Sequence, residues 1–222
     1  MGAAPVTAPR GLVCFDVDGT LVPGTSSSAW VAERLGCADE LLAAEVAYAE
    51  GRSSNEEVAT IDARGWAGRT EAEIQAHLDA LPLVGGIAET VAWCVARGLR
   101  PVLSTLAWAP VGRMLAARFG FAAYCGTVPG LEGGRYTGVV AGHLDEYGKR
   151  DFALAQAREH GVVVSRCAAI GDSRSDLPLF AEVGTSIAFN ADAAARAAAT
   201  HVVDSGDLRA VVPLLEAQFS SV

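Results

Sequence analysis

A short apolar run that ends in two acids constrains the fold of this chain more than any other feature. The run Gly11–Phe15 leads directly into Asp16–Thr20, which spells DVDGT. So short an apolar run predicts a buried strand of a parallel sheet, and such sheets bind ligands at the carboxyl ends of their strands. Asp16 and Asp18 lean to the same face of a strand, so their charges repel each other unless a cation lies nearby. Mg²⁺ prefers such oxygen ligands. The alternative is a strand that ends in a solvated acidic turn, because Asp-Gly is also a common turn signal.

The rest of the chain alternates between short apolar runs and helical patterns. Further strands are predicted at residues 99–105, 122–128, 165–170, 185–189 and 201–203, and a β-hairpin at 129–140. This alternation predicts an α/β fold, with a Rossmann-like parallel sheet core and helices on both faces. Two of these strands also end in polar groups, Ser104-Thr105 and the segment that holds Asp172 and Asp176. We therefore expect the three polar strand ends to lie side by side.

A long helical block separates the first two strands. Helical segments are predicted at residues 29–36, 41–49, 55–64 and from residue 70, where Thr70 and Glu73 have the spacing of a capping box. The block is too long for an ordinary connection between a strand and a helix. It therefore predicts a small helical cap at residues 25–83, inserted into a core formed by residues 1–24 and 84–222.

Composition limits the partners of the chain. Its 222 residues carry a formal net charge of −9 without any block of Lys or Arg, which argues against nucleic acid or an anionic membrane as a partner. No apolar run is long enough to span a membrane, and the start lacks a signal-peptide pattern. The five cysteines have no metal-ligand spacing, so we expect them to be reduced and to fill apolar space. These features predict a cytoplasmic monomer or homodimer.

The polar motifs form a recognisable set in this order and separation. They are DVDGT at Asp16–Thr20, Ser104-Thr105, Lys149, and GDSRSD at Gly171–Asp176. The set resembles the haloacid dehalogenase superfamily, and within it the phosphoserine phosphatase-like group, whose helical cap lies between the first two motifs. The resemblance covers residues 11–215.

The resemblance implies a Mg²⁺-dependent phosphomonoesterase that acts on a small metabolite through an aspartyl-phosphate. A phosphomutase or phosphotransferase with the same nucleophile is the alternative, and dependence on an acceptor would separate the two. A non-catalytic binding module on an inherited fold is a third hypothesis, because a fold alone does not fix function. The motif positions all hold chemically competent residues, which favours an enzyme.

The resemblance also assigns roles to individual residues. Asp16 would be the nucleophile, and Asp18 the general acid and then the base for the hydrolytic water. Asp16, Asp172 and the backbone carbonyl of Asp18 would hold Mg²⁺. Asp176 would position Lys149 or a metal-bound water.

The phosphate group would be bound by residues of the same motifs. These are Ser104, Thr105, Lys149 and the turn at Thr20. Lys149 has a near rival in Arg150, but its place after Gly148 matches the family pattern.

Two cap positions bear on the leaving group of the substrate. Where phosphoserine phosphatases carry a Glu and an Arg that grip the serine, this chain has Thr25 and Asp62. An acid in place of the Arg argues against an α-amino acid and favours a sugar, amino-sugar or cyclitol phosphate over phosphoserine. The alignment at Asp62 can slip, which leaves Arg52 or Arg64 as alternatives, and Arg174 is a further candidate for substrate contact.

Overall fold

The structure is a computed structural model that describes residues 8–220. Residues 1–7 and 221–222, which the sequence assigns to the core, lie outside the described part. The strands and helices, in chain order, are β1 (Gly11–Phe15), α1 (Ser27–Leu35), α2 (Ala38–Ala49), α3 (Asn55–Gly65), α4 (Glu71–Asp79), α5 (Ile87–Ala96), β2 (Leu99–Leu103), α6 (Ala109–Phe119), β3 (Val128–Glu132), β4 (Arg135–Gly142), α7 (Glu146–Glu159), β5 (Cys167–Gly171), α8 (Leu177–Phe180), β6 (Thr185–Phe189), α9 (Ala193–Ala198), β7 (His201–Val203) and α10 (Val212–Ser220). Short 3-10 turns at Val164–Arg166, Arg174–Asp176 and Leu208–Val211 connect some of them.

Five strands form a parallel sheet in the order β2-β1-β5-β6-β7. The side chains of β1 alternate between two apolar cores, because successive residues of a strand point to opposite faces. Val13 and Phe15 pack on one face with residues of α5, α6 and α10, and Leu12 and Cys14 pack on the other with residues of α7, α8 and α9. The predicted fold class, a parallel sheet with helices on both faces, is confirmed.

Helices α1–α4 form the cap that follows β1. Ser26 caps α1 by accepting a hydrogen bond from Ala29 N, and Thr70 and Glu73 form the predicted capping box of α4. Ser54, the residue before α3, caps that helix and forms a second capping box with Glu57. The boundaries predicted between the cap and the core, at residues 24–25 and 83–84, stay a prediction.

The β3–β4 hairpin reaches from the core to the cap. Tyr136 of β4 exchanges backbone hydrogen bonds with residues 68 and 69, which follow α3. Its ring packs edge-on against Trp66, at 5.0 Å between ring centroids, and Trp66 lies 5.3 Å from Trp108 of the core. The cap is thus joined to the core by a buried aromatic cluster, which fixes its position over the sheet edge.

Two expectations need correction. Residues 122–127 form no strand and instead run beside β2, joined by a single bridge between Leu103 and Tyr124. The five cysteines are unpaired, as expected, but Cys37 is exposed and does not fill apolar space. Among residues 8–220, no helix is long and apolar enough to cross a membrane.

Candidate active site

The site begins where three adjacent strands end together. Phe15 of β1 lies in register with Leu103 of β2 and Ile170 of β5. The next residues are tied across the strands, because Asp16 N donates to Ile170 O at 2.9 Å and Ser104 N donates to Phe15 O at 2.9 Å. The motifs therefore meet at one edge of the sheet, as carboxyl ends of neighbouring parallel strands must.

Lys149 of α7 is the buried cation of the site. Its Nζ lies 2.7 Å from Asp16 Oδ1 and 2.7 Å from Asp176 Oδ1, and it also donates to Ser175 Oγ at 3.2 Å. Burial disfavours the charged form of Lys149, but the charges of the two aspartates outweigh it and raise its pKa above the ordinary value. The rival Arg150 pairs with Asp151 at the surface and has no contact with these acids. The geometry thus places the charge of Lys149, and not of Arg150, at the strand ends.

Asp16, Asp172 and Asp176 form a carboxylate cluster whose oxygens lie within 4.8 Å of one another. Burial, followed by the charges of Asp16 and Asp176, raises the pKa of Asp172 to about 9. Burial also raises the pKa of Asp176 to about 6, although Lys149 acts against this rise. A divalent cation among these oxygens would offset their repulsion, and carboxylates are the ligands that Mg²⁺ prefers. The donor set therefore fits this metal.

Gly19 allows the cluster to form. It has a φ of +84°, and a Cβ at this position would lie 2.1 Å from Asp172 Oδ2. Only glycine accepts both the left-handed backbone and this close approach. The Gly in the DVDGT motif therefore has a structural reason to be there.

Asp18 lies apart from the cluster and faces the cap. Its Oδ1 accepts a hydrogen bond from Ser27 N at 2.7 Å, and its Oδ2 accepts one from Ser27 Oγ at 3.1 Å. Burial raises its pKa to about 7, and the charges of Asp16 and Glu45 add to the effect. Such a carboxyl can hold a proton near neutral pH, which suits a general acid.

The strand ends and the cap enclose a cavity of about 630 Å³. Its floor comes from the motif loops and its roof from α1, α2 and α3. The lining residues are Asp16, Asp18, Gly19, Pro23, Gly24, Thr25, Ser26, Ser28, Glu45, Tyr48, Ala49, Asn55, Val58, Thr105, Leu106, Ala107, Asp172, Ser173, Ser175 and Asn190. Thr25 and Thr105, both predicted to bind substrate, are therefore on the cavity wall.

Thr20 and Ser104, also predicted to bind substrate, are not on that wall. Both side chains are fully buried. The Thr20 hydroxyl lies 3.5 Å from Asp172 Oδ1, behind the carboxylate cluster. The Ser104 hydroxyl donates to the backbone carbonyl of Lys149 at 2.8 Å, because a buried hydroxyl must find a partner. The Ser104 hydroxyl thereby ties the end of β2 to the first turn of α7.

Asp62, the cap residue predicted to bind substrate, likewise does not line this cavity. It lies on the inner face of α3, where its Oδ2 accepts a hydrogen bond from Trp108 Nε1, and burial raises its pKa. The three arginine alternatives also lie outside the cavity lining. Arg52 pairs with Glu50, and Arg64 lines a separate small cavity.

Arg174 joins the motif loop to the cap. Its Nη1 donates to Tyr48 O at 2.6 Å, its guanidinium lies 4.6 Å from the centre of the Tyr48 ring, and its Nη2 lies 3.4 Å from Glu146 Oε1. These contacts occupy the guanidinium. Arg174 therefore stabilises the position of α2 over the site.

Sequence reasoning missed several residues of the wall. Asn190 directly follows β6 and has a φ of +50°. Because parallel sheets bind ligands at the carboxyl ends of their strands, its position after a predicted strand was a signal that could have identified it. Glu45, Tyr48 and Asn55 lie on cap helices, where no motif marks them.

Comparison with protein families identifies the chain. The model of haloacid dehalogenase-like hydrolases matches residues 13–181, and a second model of the same description matches residues 148–215. The chain belongs to the haloacid dehalogenase-like hydrolases. The expected membership, and with it the expectation of a phosphatase-type enzyme, is confirmed.

Curated relatives and solved structures of this hydrolase family extend over nearly the whole chain. A phosphoserine phosphatase of Albidiferax ferrireducens is 28% identical over 217 residues, which cover 92% of this chain and 89% of that protein. One of Halobacterium salinarum is 31% identical over 204 residues, covering 88% and 93%. A solved phosphoserine phosphatase described as a phospho-aspartyl intermediate analogue matches with a TM-score of 0.85 at 21% identity, covering 93% of this chain and 99% of that one. At this identity the structural match shows the fold.

Proposed function

We propose that this hydrolase is a Mg²⁺-dependent phosphomonoesterase that acts on a small phosphate ester through an aspartyl-phosphate on Asp16. The observation that carries the proposal is the contact of buried Lys149 with Asp16 and Asp176, at 2.7 Å each, beside Asp172. Three carboxylates and one cation at the floor of a cavity are costly to fold. Such a site can bind a metal and a phosphate group together.

Asp16, Asp172 and Asp176 are the side chains that would hold the metal or its water ligands. When bound, Mg²⁺ would supply positive charge that shields the nucleophile from the phosphate and stabilises charge on its oxygens. We propose that the backbone carbonyl of Asp18 completes the ligand set.

The two steps of the reaction use the side chains of this site. The Asp16 carboxylate attacks phosphorus, so that its oxygen–phosphorus bond forms as the bond to the leaving oxygen breaks. Asp18 gives its proton to that oxygen, which leaves as an alcohol. Water then attacks the same phosphorus, Asp18 accepts its proton, and Asp16 is released with inorganic phosphate. Lys149 holds Asp16 in place and provides positive charge at the strand ends.

Two candidates exist for the alcohol part of the ester. The names of the curated relatives favour phosphoserine. The absence of any Arg, Lys or His from the cavity lining within residues 8–220 favours an ester without a carboxylate, such as a sugar, amino-sugar or cyclitol phosphate.

Phosphate release with Mg²⁺ and with EDTA tests the proposal. We expect metal-dependent turnover of p-nitrophenyl phosphate, reduced by at least about 10³-fold in Asp16→Asn. Asp79→Asn makes the same change at an exposed acid of α4 and should leave turnover intact. Turnover that survives in Asp16→Asn, or that ignores EDTA, would contradict the mechanism.

A further inference from the structure

The cavity carries an acidic side chain on the cap as well as on the catalytic floor. Of the residues that the structure describes, four charged side chains line the cavity, and all are carboxylates: Asp16, Asp18, Asp172 and Glu45. The first three belong to the catalytic floor. Glu45 belongs to α2 of the cap, and nothing in the proposed chemistry requires it there.

Glu45 is held in a fixed orientation. Its Oε1 accepts a hydrogen bond from Ser26 Oγ at 2.5 Å. Ser26 Oγ is itself fixed, because it accepts a hydrogen bond from Ala29 N at 2.8 Å as the cap of α1. Over the part of the chain that the structure describes, Oε2 of Glu45 has no hydrogen-bond or ion-pair partner. One carboxylate oxygen is therefore free to meet a ligand.

The position of Glu45 is next to the leaving group. Ser26 donates to Glu45 at 2.5 Å, and the next residue, Ser27, donates to Asp18 through its backbone N at 2.7 Å and its hydroxyl at 3.1 Å. Both carboxylates also line the same cavity. Asp18 delivers its proton to the leaving oxygen in the proposed mechanism. Glu45 therefore lies near the alcohol part of the ester, on the same side of the cavity as the proton donor.

Among residues 8–220, no cationic side chain pairs with Glu45. Burial raises its pKa, which shows that its charged form is poorly solvated, and a cationic partner would offset this cost. Arg174, whose contacts lie nearby on α2, is occupied by Tyr48 and Glu146. The hydroxyl of Tyr48, one turn from Glu45, is also buried without a partner in residues 8–220. Within residues 8–220, the cavity lining thus holds the carboxylate of Glu45 and no Arg, Lys or His that would pair with a carboxylate of the substrate.

We infer that Glu45 selects phosphate esters whose alcohol carries a primary ammonium group and no carboxylate. The inference rests on the proposed function of the same site. Two kinds of alcohol fit this description, a short amino alcohol and an amino sugar. Glu45 would accept a charge-assisted hydrogen bond from the ammonium, and it would repel a substrate carboxylate.

Matched esters test the inference by kcat/KM. The first pair is O-phosphoethanolamine and 2-hydroxyethyl phosphate, and the second is glucosamine 6-phosphate and glucose 6-phosphate. Each pair exchanges an ammonium for a hydroxyl. O-phosphoserine adds a carboxylate to the first member. We expect one ammonium ester to exceed its hydroxyl partner by about 10-fold or more, and the pair that shows this identifies the source.

The variant Glu45→Gln keeps an acceptor for Ser26 and removes the charge. We expect it to bring the ratio of the selected pair close to one and to raise relative turnover of O-phosphoserine. Glu40→Gln makes the same change at an exposed position of the same helix and should keep the wild-type ratios. A wild-type ratio of one or less in both pairs, or a preference that Glu45→Gln retains, would overturn the inference.

Binding separates this inference from the proposed function. Calorimetry with Asp16→Asn and Mg²⁺ measures the affinity for each ester without turnover. If wild-type protein fails to hydrolyse any ester, p-nitrophenyl phosphate included, the proposed function is wrong. The inference then stands if the ammonium esters bind more tightly and Glu45→Gln removes the difference, and it falls if they do not.

Discussion

Replacement of Lys149 by Met should destabilise the metal-free protein strongly. The side chain is fully buried, and its Nζ contacts Asp16 and Asp176 at 2.7 Å each. Met has a similar volume but no charge, so the change leaves two buried carboxylates without their cation beside a third, Asp172. Breaking a buried pair by removing one partner costs about 3–5 kcal/mol. For a chain of this size that cost lowers the melting temperature by about 6–20 °C.

Urea denaturation in EDTA measures this loss. EDTA is needed because a bound cation would replace part of the missing charge. Arg150→Met is the matched control, since Arg150 is the next residue of the same helix and pairs with Asp151 at the surface. That exposed pair should contribute no more than about 1 kcal/mol. If Lys149→Met lies within about 1 kcal/mol of wild type, the buried ion pairs do not have the energetic role argued from their geometry.

Three further predictions follow from the same contacts. Mg²⁺ at about 100 times its dissociation constant should stabilise the protein by about 2.7 kcal/mol, measured as a rise in the thermal melt. Asp172→Asn should remove most of this rise and should stabilise the metal-free form, because a buried carboxyl with a raised pKa opposes folding at neutral pH. Trp108→Phe removes the hydrogen bond to buried Asp62 and should lower the unfolding free energy by about 1–3 kcal/mol, measured in urea, without changing the ratios between substrates. Gly171→Ala places a Cβ 2.1 Å from Asp176 Cγ and should reduce phosphate release by about 10²-fold in protein that circular dichroism shows to be folded, because the carboxylate must move away from its lysine partner.

The sheet and its strand ends were predictable because the signals are local. An apolar run followed by an acid marks both a buried strand and the place where its chain leaves the sheet. The family resemblance placed Asp16, Asp172 and Lys149 in one site, and the structure brings them together. The error at residues 122–128 has a different cause. This segment has the composition of a strand, but it makes only a few backbone contacts with β2, among them Leu103 N to Ala123 O at 2.9 Å. Composition does not reveal whether a segment at the edge of a sheet forms regular hydrogen bonds with the neighbouring strand along its whole length.

The cap shows why specificity was harder to predict than chemistry. Asp62 and Glu45 are both acids on cap helices, and nothing in their spacing tells which one faces the substrate. The structure separates them by their partners. Asp62 meets the indole of Trp108, which comes from the core, and is buried by it. Glu45 accepts a hydrogen bond from the hydroxyl of Ser26 and lines the cavity. Which helix face meets the core depends on aromatic contacts between Trp66, Trp108 and the distant hairpin, and these are set by tertiary packing. A residue that determines the substrate can therefore be assigned in this chain only after the cap has been placed on the core.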